Sequence, residues 1–227
     1  MRNKLRNFVG KFPVLEHNLK AIKNWTENKN TKPKMSIVGE ANNIDVNRTS
    51  VLIDCEIDID GNNNTIIVAS GCVLQSVSFY IRGDNNTIIV GEKVKYNGVL
   101  WETCNNGRIE IGDGTTTEVN VNMQISEDSL EIVVGSDCMF SSNIFIWPQD
   151  WHPIFDENDQ QINPGKSIYI KDHVWVGFDA KILKSVTIGS NNIIGTNAIV
   201  TKSILEENVV IAGNPGKIVK RGVHWKR

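Results

Sequence analysis

The residues best suited to chemistry lie in one stretch, Trp147-Pro148-Gln149-Asp150-Trp151-His152-Pro153-Ile154-Phe155-Asp156. His152 is its only imidazole. A neutral ring with one nitrogen held protonated by a carboxylate or a backbone carbonyl leaves the other free to accept a proton near neutral pH, and Asp150 is a candidate for that orienting group. Trp147 and Trp151 offer flat apolar faces for a sugar ring, and Gln149 and Asp156 can hydrogen-bond hydroxyls. The set reads as a site that removes a proton from an acceptor, with His152 catalytic and Trp147, Asp150 and Trp151 as substrate contacts. A histidine on a solvated loop explains the same residues equally well. His173 falls inside a regular repeat, where a corner or outward position is expected, and His17 and His224 lie in the terminal segments. The spacing of histidines and carboxylates suggests no metal site. Cys55, Cys72, Cys104 and Cys138 are scattered without a close pair and are read as reduced thiols filling the core.

What must hold this stretch in place is legible on its C-terminal side. Between 168 and 204 aliphatic residues fall on every sixth position: Ile170, Val176, Ile182, Ile188, Ile194 and Val200. A helical face needs spacings of three and four, and an ordinary strand alternates at two. A period of six fits a short strand and a tight corner, three of which close a triangular coil. Coils stack at the interstrand spacing of about 4.8 Å with the sixth-position side chains inward. Gly177, Gly189 and Gly195 each follow such a residue and are placed at corners, where the next coil comes close.

Earlier in the chain the period lengthens. Asn63-Asn64-Thr65-Ile66-Ile67-Val68 returns as Asn85-Asn86-Thr87-Ile88-Ile89-Val90, and Ile109-Glu110-Ile111-Gly112 and Ile132-Val133-Val134-Gly135 continue at nearly the same step. These predict the same coils with a few extra residues at one corner, with stacked Asn side chains forming ladders at solvent corners. The six-spacing fails between 146 and 167, so a loop near 147–166 is expected to protrude and carry His152. The expected organisation is an all-β solenoid over 35–213, preceded by a basic helical cap over 1–34 and followed by a basic tail, 214–227.

The 227 residues are enough for one domain. Residues 1–34 carry nine Lys or Arg and two acids, the rest 15 and 24, so a basic appendage precedes an acidic body. The appendage is read as a solvated cap, or as a segment drawn to anionic lipid or an acidic polymer. No nucleic-acid partner is expected. Lys11, Pro13, Glu16 and Lys20 interrupt any signal-peptide apolar block, which predicts a cytoplasmic location.

Several motifs now combine: Asp172-His173-Val174-Trp175-Val176-Gly177, then Ile188-Gly189-Ser190-Asn191, then Ile194-Gly195-Thr196-Asn197-Ala198-Ile199-Val200-Thr201-Lys202, then Ala212-Gly213-Asn214-Pro215-Gly216-Lys217. The stretch 168–221 resembles the C-terminal half of the galactoside and maltose acetyltransferase branch of the hexapeptide acyltransferases. It is most similar to bacterial capsule and lipopolysaccharide O-acetyltransferases, in which an Asp-x-His, here Asp150-Trp151-His152, precedes an Ile-rich coil. The resemblance implies a left-handed parallel β-helix that moves acetyl from acetyl-CoA to a hydroxyl of a sugar or cell-surface polysaccharide, with His152 as general base. It implies that Trp175 lines the CoA channel beside Gly177 and Phe178. Thr196, Thr201 and Lys202 would lie along the CoA arm, and Lys217 and Lys220 would meet its phosphates. It further implies a homotrimer with active sites between subunits. The long Asn-rich N-terminal part departs from the short helical cap of the galactoside enzymes. The alternatives are an N-acyltransferase acting on a nucleotide-linked amino sugar, a non-catalytic β-helical binding scaffold and a metal-dependent enzyme of the carbonic anhydrase type.

Overall fold

Inward aliphatics at a fixed step wind the chain into a three-faced parallel solenoid. The computed structural model describes residues 32–227. Among them there are strands and corners and no helix. The helical cap expected over 1–34 falls outside the described residues except at its end, where Lys34 already opens the strand Lys34–Val38. Each coil but the last contributes one strand to each face, in the order first, second, third; the last meets the second face only through the bridge of Ile204 to Ile188. The faces hold eight, seven and nine strands, all pairings parallel save the last. Three edges separate them: a loop edge between the first and second faces, a strap edge between the second and third, and a closing edge between the third and first.

The expected ladder is present. Ile170, Val176, Ile182, Ile188, Ile194 and Val200 are all buried, as are Ile132, Cys138 and Ile144. Each buried aliphatic stabilises the fold by about 1.5–3 kcal/mol. The 18-residue step holds late in the chain, between Ser185 and Ser203, whereas Lys34 lies 22 residues before its partner Glu56. The additional residues are not confined to one corner. Ile57 with Ile59, then Ile66 with Val68, point inward where a later coil has Ile182 and Ile188. The first two faces are therefore wider in the N-terminal coils, because an extended strand adds inward residues only in steps of two.

Two devices turn the corners. Left-handed backbone is carried mainly by Asn, Asp and Ser, with φ of 57° at Asn63, 57° at Asp179 and 62° at Asn191, since short polar side chains tolerate that region. Gly177 has ordinary φ and serves close approach instead: a Cβ there would stand 2.7 Å from the Thr196 nitrogen. Gly61 needs both properties, with φ 150° and the Gly83 oxygen 1.9 Å from any Cβ.

The Asn ladder sits inside the loop edge and not at its solvent side, for Asn64 and Asn86 are fully buried. Asn64 Oδ1 accepts from Asn86 N (2.9 Å) and its Nδ2 donates to Gly83 O (2.8 Å). Asn86 repeats the pattern with Gly107 N (2.8 Å) and Cys104 O (2.7 Å). Corner backbone groups that no strand can satisfy are satisfied here by amides. A second, more exposed row, Asn62, Asp84, Asn105 and Asp128, bonds successive backbone nitrogens on the outside of the same edge.

One interior group breaks the scheme. Glu102 is fully buried, both carboxylate oxygens lack a partner among the described residues, and desolvation pushes its pKa well above the ordinary range. It lies where Gly107 interrupts the Asn column, since a Cβ on Gly107 would come within 3.1 Å of Glu102 Oε1. The folded-state pKa exceeds the unfolded one, so Glu102's stabilising contribution is complete below about 4.5 and is lost as pH rises toward the folded value. Replacing Glu102 with Gln keeps the shape and removes the titration. Urea unfolding of Glu102→Gln should show a higher midpoint than wild type at about pH 8 and a flatter trend from about pH 5, and identical pH slopes would contradict this.

Candidate active site

The interruption at 147–166 emerges at the loop edge, between the strands Ile144–Trp147 and Ile168–Ile170. A coil that otherwise returns after 16 to 23 residues here takes 36, and the surplus leaves the wall because nothing fits between stacked backbones. The loop is folded and anchored. Lys166 N donates to Pro148 O (2.7 Å) at its base, and Gly165 N donates to Glu127 Oε2 (2.7 Å). Asn163, nearly buried, holds its middle: Oδ1 accepts from Ile154 N (2.6 Å), while Nδ2 donates to Asp150 Oδ2 (2.9 Å) and His152 O (3.0 Å). Asp156 closes the tip by accepting from Asn158 N and Gln160 N, so its carboxylate serves the turn and not a ligand.

His152 itself is exposed, and its ring nitrogens have no hydrogen-bond partner among the described residues. Asp150 does not orient it. That carboxylate accepts from Lys184 Nζ (2.6 Å) and Asn163, and the lysine, followed by the amide, holds it below the usual carboxylate range. Lys184, Asn163 and Glu127 went unseen in the sequence because their role depends on which coil the loop folds over, not on spacing. The loop and its edge enclose a cavity of about 570 Å³ lined by Asp150, Asn163, Lys166, Lys184, Ser185 and Thr201, among others.

Trp147 and Trp151 do not present a pair of free flat faces. Trp147 is half-buried on the outside of the first face, tilted against Phe145 (5.1 Å) and edge-on to Trp151 (6.3 Å). Trp151, 45% exposed, also leans on Trp101 (6.1 Å), which meets Tyr80 edge-on (5.2 Å). Edge and tilted contacts of this kind are favourable aromatic packing. Gln149 is buried and donates to Gln124 O (3.1 Å).

The residues expected around CoA divide into groups. Trp175 points outward from the third face, 37% exposed, and buried Gly177, exposed Phe178 (45%) and exposed Thr196 follow at the closing edge. Lys217 and Lys220 lie on the strand Lys217–Arg221, which folds back antiparallel to Val209–Ala212 at the end of that third face. Thr201 and Lys202 sit instead at the loop edge, beside the His152 loop, with Thr201 in the cavity wall. One chain thus holds His152 on one edge of the first face and the Phe178 corner on the other. His173 occupies a strap-edge corner with φ 55°. The four cysteines are buried and free, and burial pushes Cys104 and Cys138 up to about 12, which makes them poor nucleophiles. No helix among the described residues is long and apolar enough to cross a membrane.

A parallel solenoid with six-residue sides and one loop carrying an unpartnered histidine defines a hexapeptide-repeat protein, and the comparisons agree. The family pattern described as bacterial transferase hexapeptide (six repeats) matches residues 167–202. The solved structure of the polysialic acid O-acetyltransferase OatWY is 32% identical and superposes with a TM-score of 0.76 over 85% of this chain and 91% of that one. The polysialic-acid-specific acetyltransferase NeuO is 30% identical with a TM-score of 0.69, over 86% and 89%. The galactoside O-acetyltransferase of Lactococcus lactis is 36% identical over 49% of this chain, and the polysialic acid O-acetyltransferase of Escherichia coli O1:K1 is 33% identical over 50%. The aligned parts span 52% and 37% of the lengths of those two relatives. The chain belongs to the hexapeptide-repeat acyltransferase family.

The Asn163 side-chain amide ties three separate groups of the loop together, at about 1 kcal/mol for each hydrogen bond. Asn163→Ala should therefore speed proteinase K cleavage within 151–162 by about tenfold or more while the thermal midpoint of the solenoid moves by only a few degrees. Equal cleavage rates would show that the loop is held by other contacts.

Proposed function

We propose that this protein transfers an acetyl group from acetyl-CoA to a hydroxyl of a sugar or cell-surface polysaccharide, with His152 as general base. The observation that carries the reading is the likeness to two polysialic acid O-acetyltransferases across nearly the whole solenoid, joined to a loop whose only histidine has an unengaged ring. The solenoid is read as left-handed on the same likeness.

The thioester is already activated, so transfer needs no covalent enzyme intermediate. A nitrogen of His152 takes the proton from the acceptor hydroxyl as its oxygen attacks the acetyl carbonyl. The tetrahedral oxyanion is met by backbone N–H groups, the C–S bond breaks, and the CoA thiolate leaves with the proton the imidazole had held. Placing both reactants in one cleft lowers the barrier further. Trp175, Gly177, Phe178 and Thr196 line the donor, Thr201 and Lys202 follow its arm, and Lys217 and Lys220 answer its phosphates. Trp151, the more exposed indole of the loop, and Asp150 are the acceptor contacts beside His152, with Trp147 behind them.

A homotrimer belongs to this reading, and the division of the site between two edges supports it. The His152 loop and the Phe178 corner flank the same face from opposite sides, so the two halves meet when one copy's loop edge lies against the closing edge of another. The loop is dressed for such a contact: Ile154, Phe155 and Ile162 are each more than half exposed. The reaction is placed in the cytosol, where thiols stay reduced.

His152→Ala should lower acetyl transfer to a responsive sugar by about 10²- to 10⁴-fold while acetyl-CoA affinity changes by less than about threefold. Activity within a few-fold of wild type would remove His152 from the chemistry. A panel pairing hydroxyl acceptors with amino-sugar acceptors separates O- from N-transfer, and turnover confined to amines would overturn the acceptor class.

A further inference from the structure

The residues after the last strand do not leave the molecule. They run back along the strap edge, opposite to the direction in which the coils advance. Val223 N donates to Asn208 O (3.0 Å) in the last coil. Trp225 then lies over a corner of an earlier coil, only 6% exposed, with its ring stacked on His173 at 4.0 Å and 8°. Its Nε1 donates to His173 O (3.0 Å), and its carbonyl stands 3.3 Å from His173 Nε2. Asp137 Oδ2 is 2.7 Å from the other ring nitrogen of His173. Farther along, Arg227 donates to Asp137 Oδ1 (2.9 Å), Thr116 Oγ1 (2.6 Å), Gly114 O (3.1 Å) and Cys138 O (2.7 Å).

We propose that Trp225 is a positioning residue for the acyl-donor site: the strap 222–227 holds the outward indole of Trp175 in the orientation that meets the donor. The inference rests on the donor reading of Trp175 given above. Trp175 stands on the third face between Met139 and Ile193 in register, and it is 37% exposed. Trp225 reaches it at 6.2 Å with the rings inclined at 50°. An indole projecting from a narrow sheet has open space around it and several staggered orientations, and a ring packed against one side selects among them. Trp225 can impose that choice because it is itself fixed twice, by the His173 stack and by its indole hydrogen bond. Arg227 fixes the strap along the axis. The Arg227–Asp137 pair is partly exposed and contributes little alone, but four donations from one planar group to two successive coils set the register of the segment. A strap that merely covered apolar surface would need none of these bonds to corner carbonyls.

The test uses the full chain and CoA itself as the probe, with affinity read by titration calorimetry and folding by thermal midpoint. Trp225→Leu should weaken CoA binding by about three- to tenfold, the span of one aromatic pair, and Trp225→Phe should return it to within about twofold of wild type. In a Trp175→Ala background, Trp225→Leu should cause no further loss, because its effect passes through the ring already removed. Arg227→Ala, which loosens the strap without emptying the seat of Trp225, should weaken CoA binding about two- to fourfold and serves where Trp225→Leu does not fold. Unchanged affinity in the folded variants, or losses that simply add to that of Trp175→Ala, would overturn the proposal. Failure of the wild-type chain to bind CoA would bring down the donor reading instead.

Discussion

The structure depends on one steric constraint: stacked coils lie within backbone hydrogen-bonding distance on all three faces, and the space they enclose admits one narrow stack of side chains. Aliphatic residues at the sixth positions fill that space, and the corners between them must turn without a side chain in the way. Gly61 and Gly177 mark places where any Cβ would meet the backbone of the adjacent coil at 1.9 and 2.7 Å. A stack this tight has no room for an extra residue inside its walls. Additions either widen a face by inward pairs, as in the N-terminal coils, or leave the wall altogether, as at 147–166.

The same tightness governs polar groups. Corner carbonyls and nitrogens face inward where water does not reach, so each needs a partner carried by the chain. Asn42, Asn64 and Asn86 supply them in one continuous column, each side-chain amide bonding a carbonyl and a nitrogen of the next coil. Asn192 repeats the device at the strap edge with Glu206 O and Val209 N. At Gly107 the column ends, and the buried carboxyl of Glu102 occupies the neighbourhood without a partner among the described residues. Burial drives an unpaired carboxyl in such a place toward its neutral form, because any isolated buried charge is expensive.

In the proposed reading, function is arranged along the edges. The faces are largely committed to stacking, so groups that must meet a ligand are carried by corners, the loop and the outward side of one strand. The loop edge holds His152 with Asp150, Lys184 and Asn163 as its support, and the closing edge and third face hold Phe178, Thr196 and Trp175. A prism keeps its edges apart, so in the proposed reading the two sets cooperate across a contact between copies. The aromatic packing of Tyr80, Trp101, Phe145, Trp147 and Trp151 lies on the first face between those two edges.

Much of this was open to reading in the residues themselves. A period of six matches neither a helical face nor an ordinary strand, so the coil, its inward ladder from Ile170 to Val200 and the placement of a loop at 147–166 are legible from the spacing of side chains. The buried thiols and the corner position of His173 follow in the same way. Other features were decided by tertiary structure. The widening of two faces came from strand pairing, which adds residues in twos, and the Asn column lies inside because only there are the corner groups unsatisfied. Asp150 pairs with Lys184, 34 residues away, and Trp225 stacks on His173, 52 residues before it. Such contacts join residues that share a corner of the wound chain and no period along it. Local sequence rules describe how each coil closes, but only the completed stack determines which residues stand one above another.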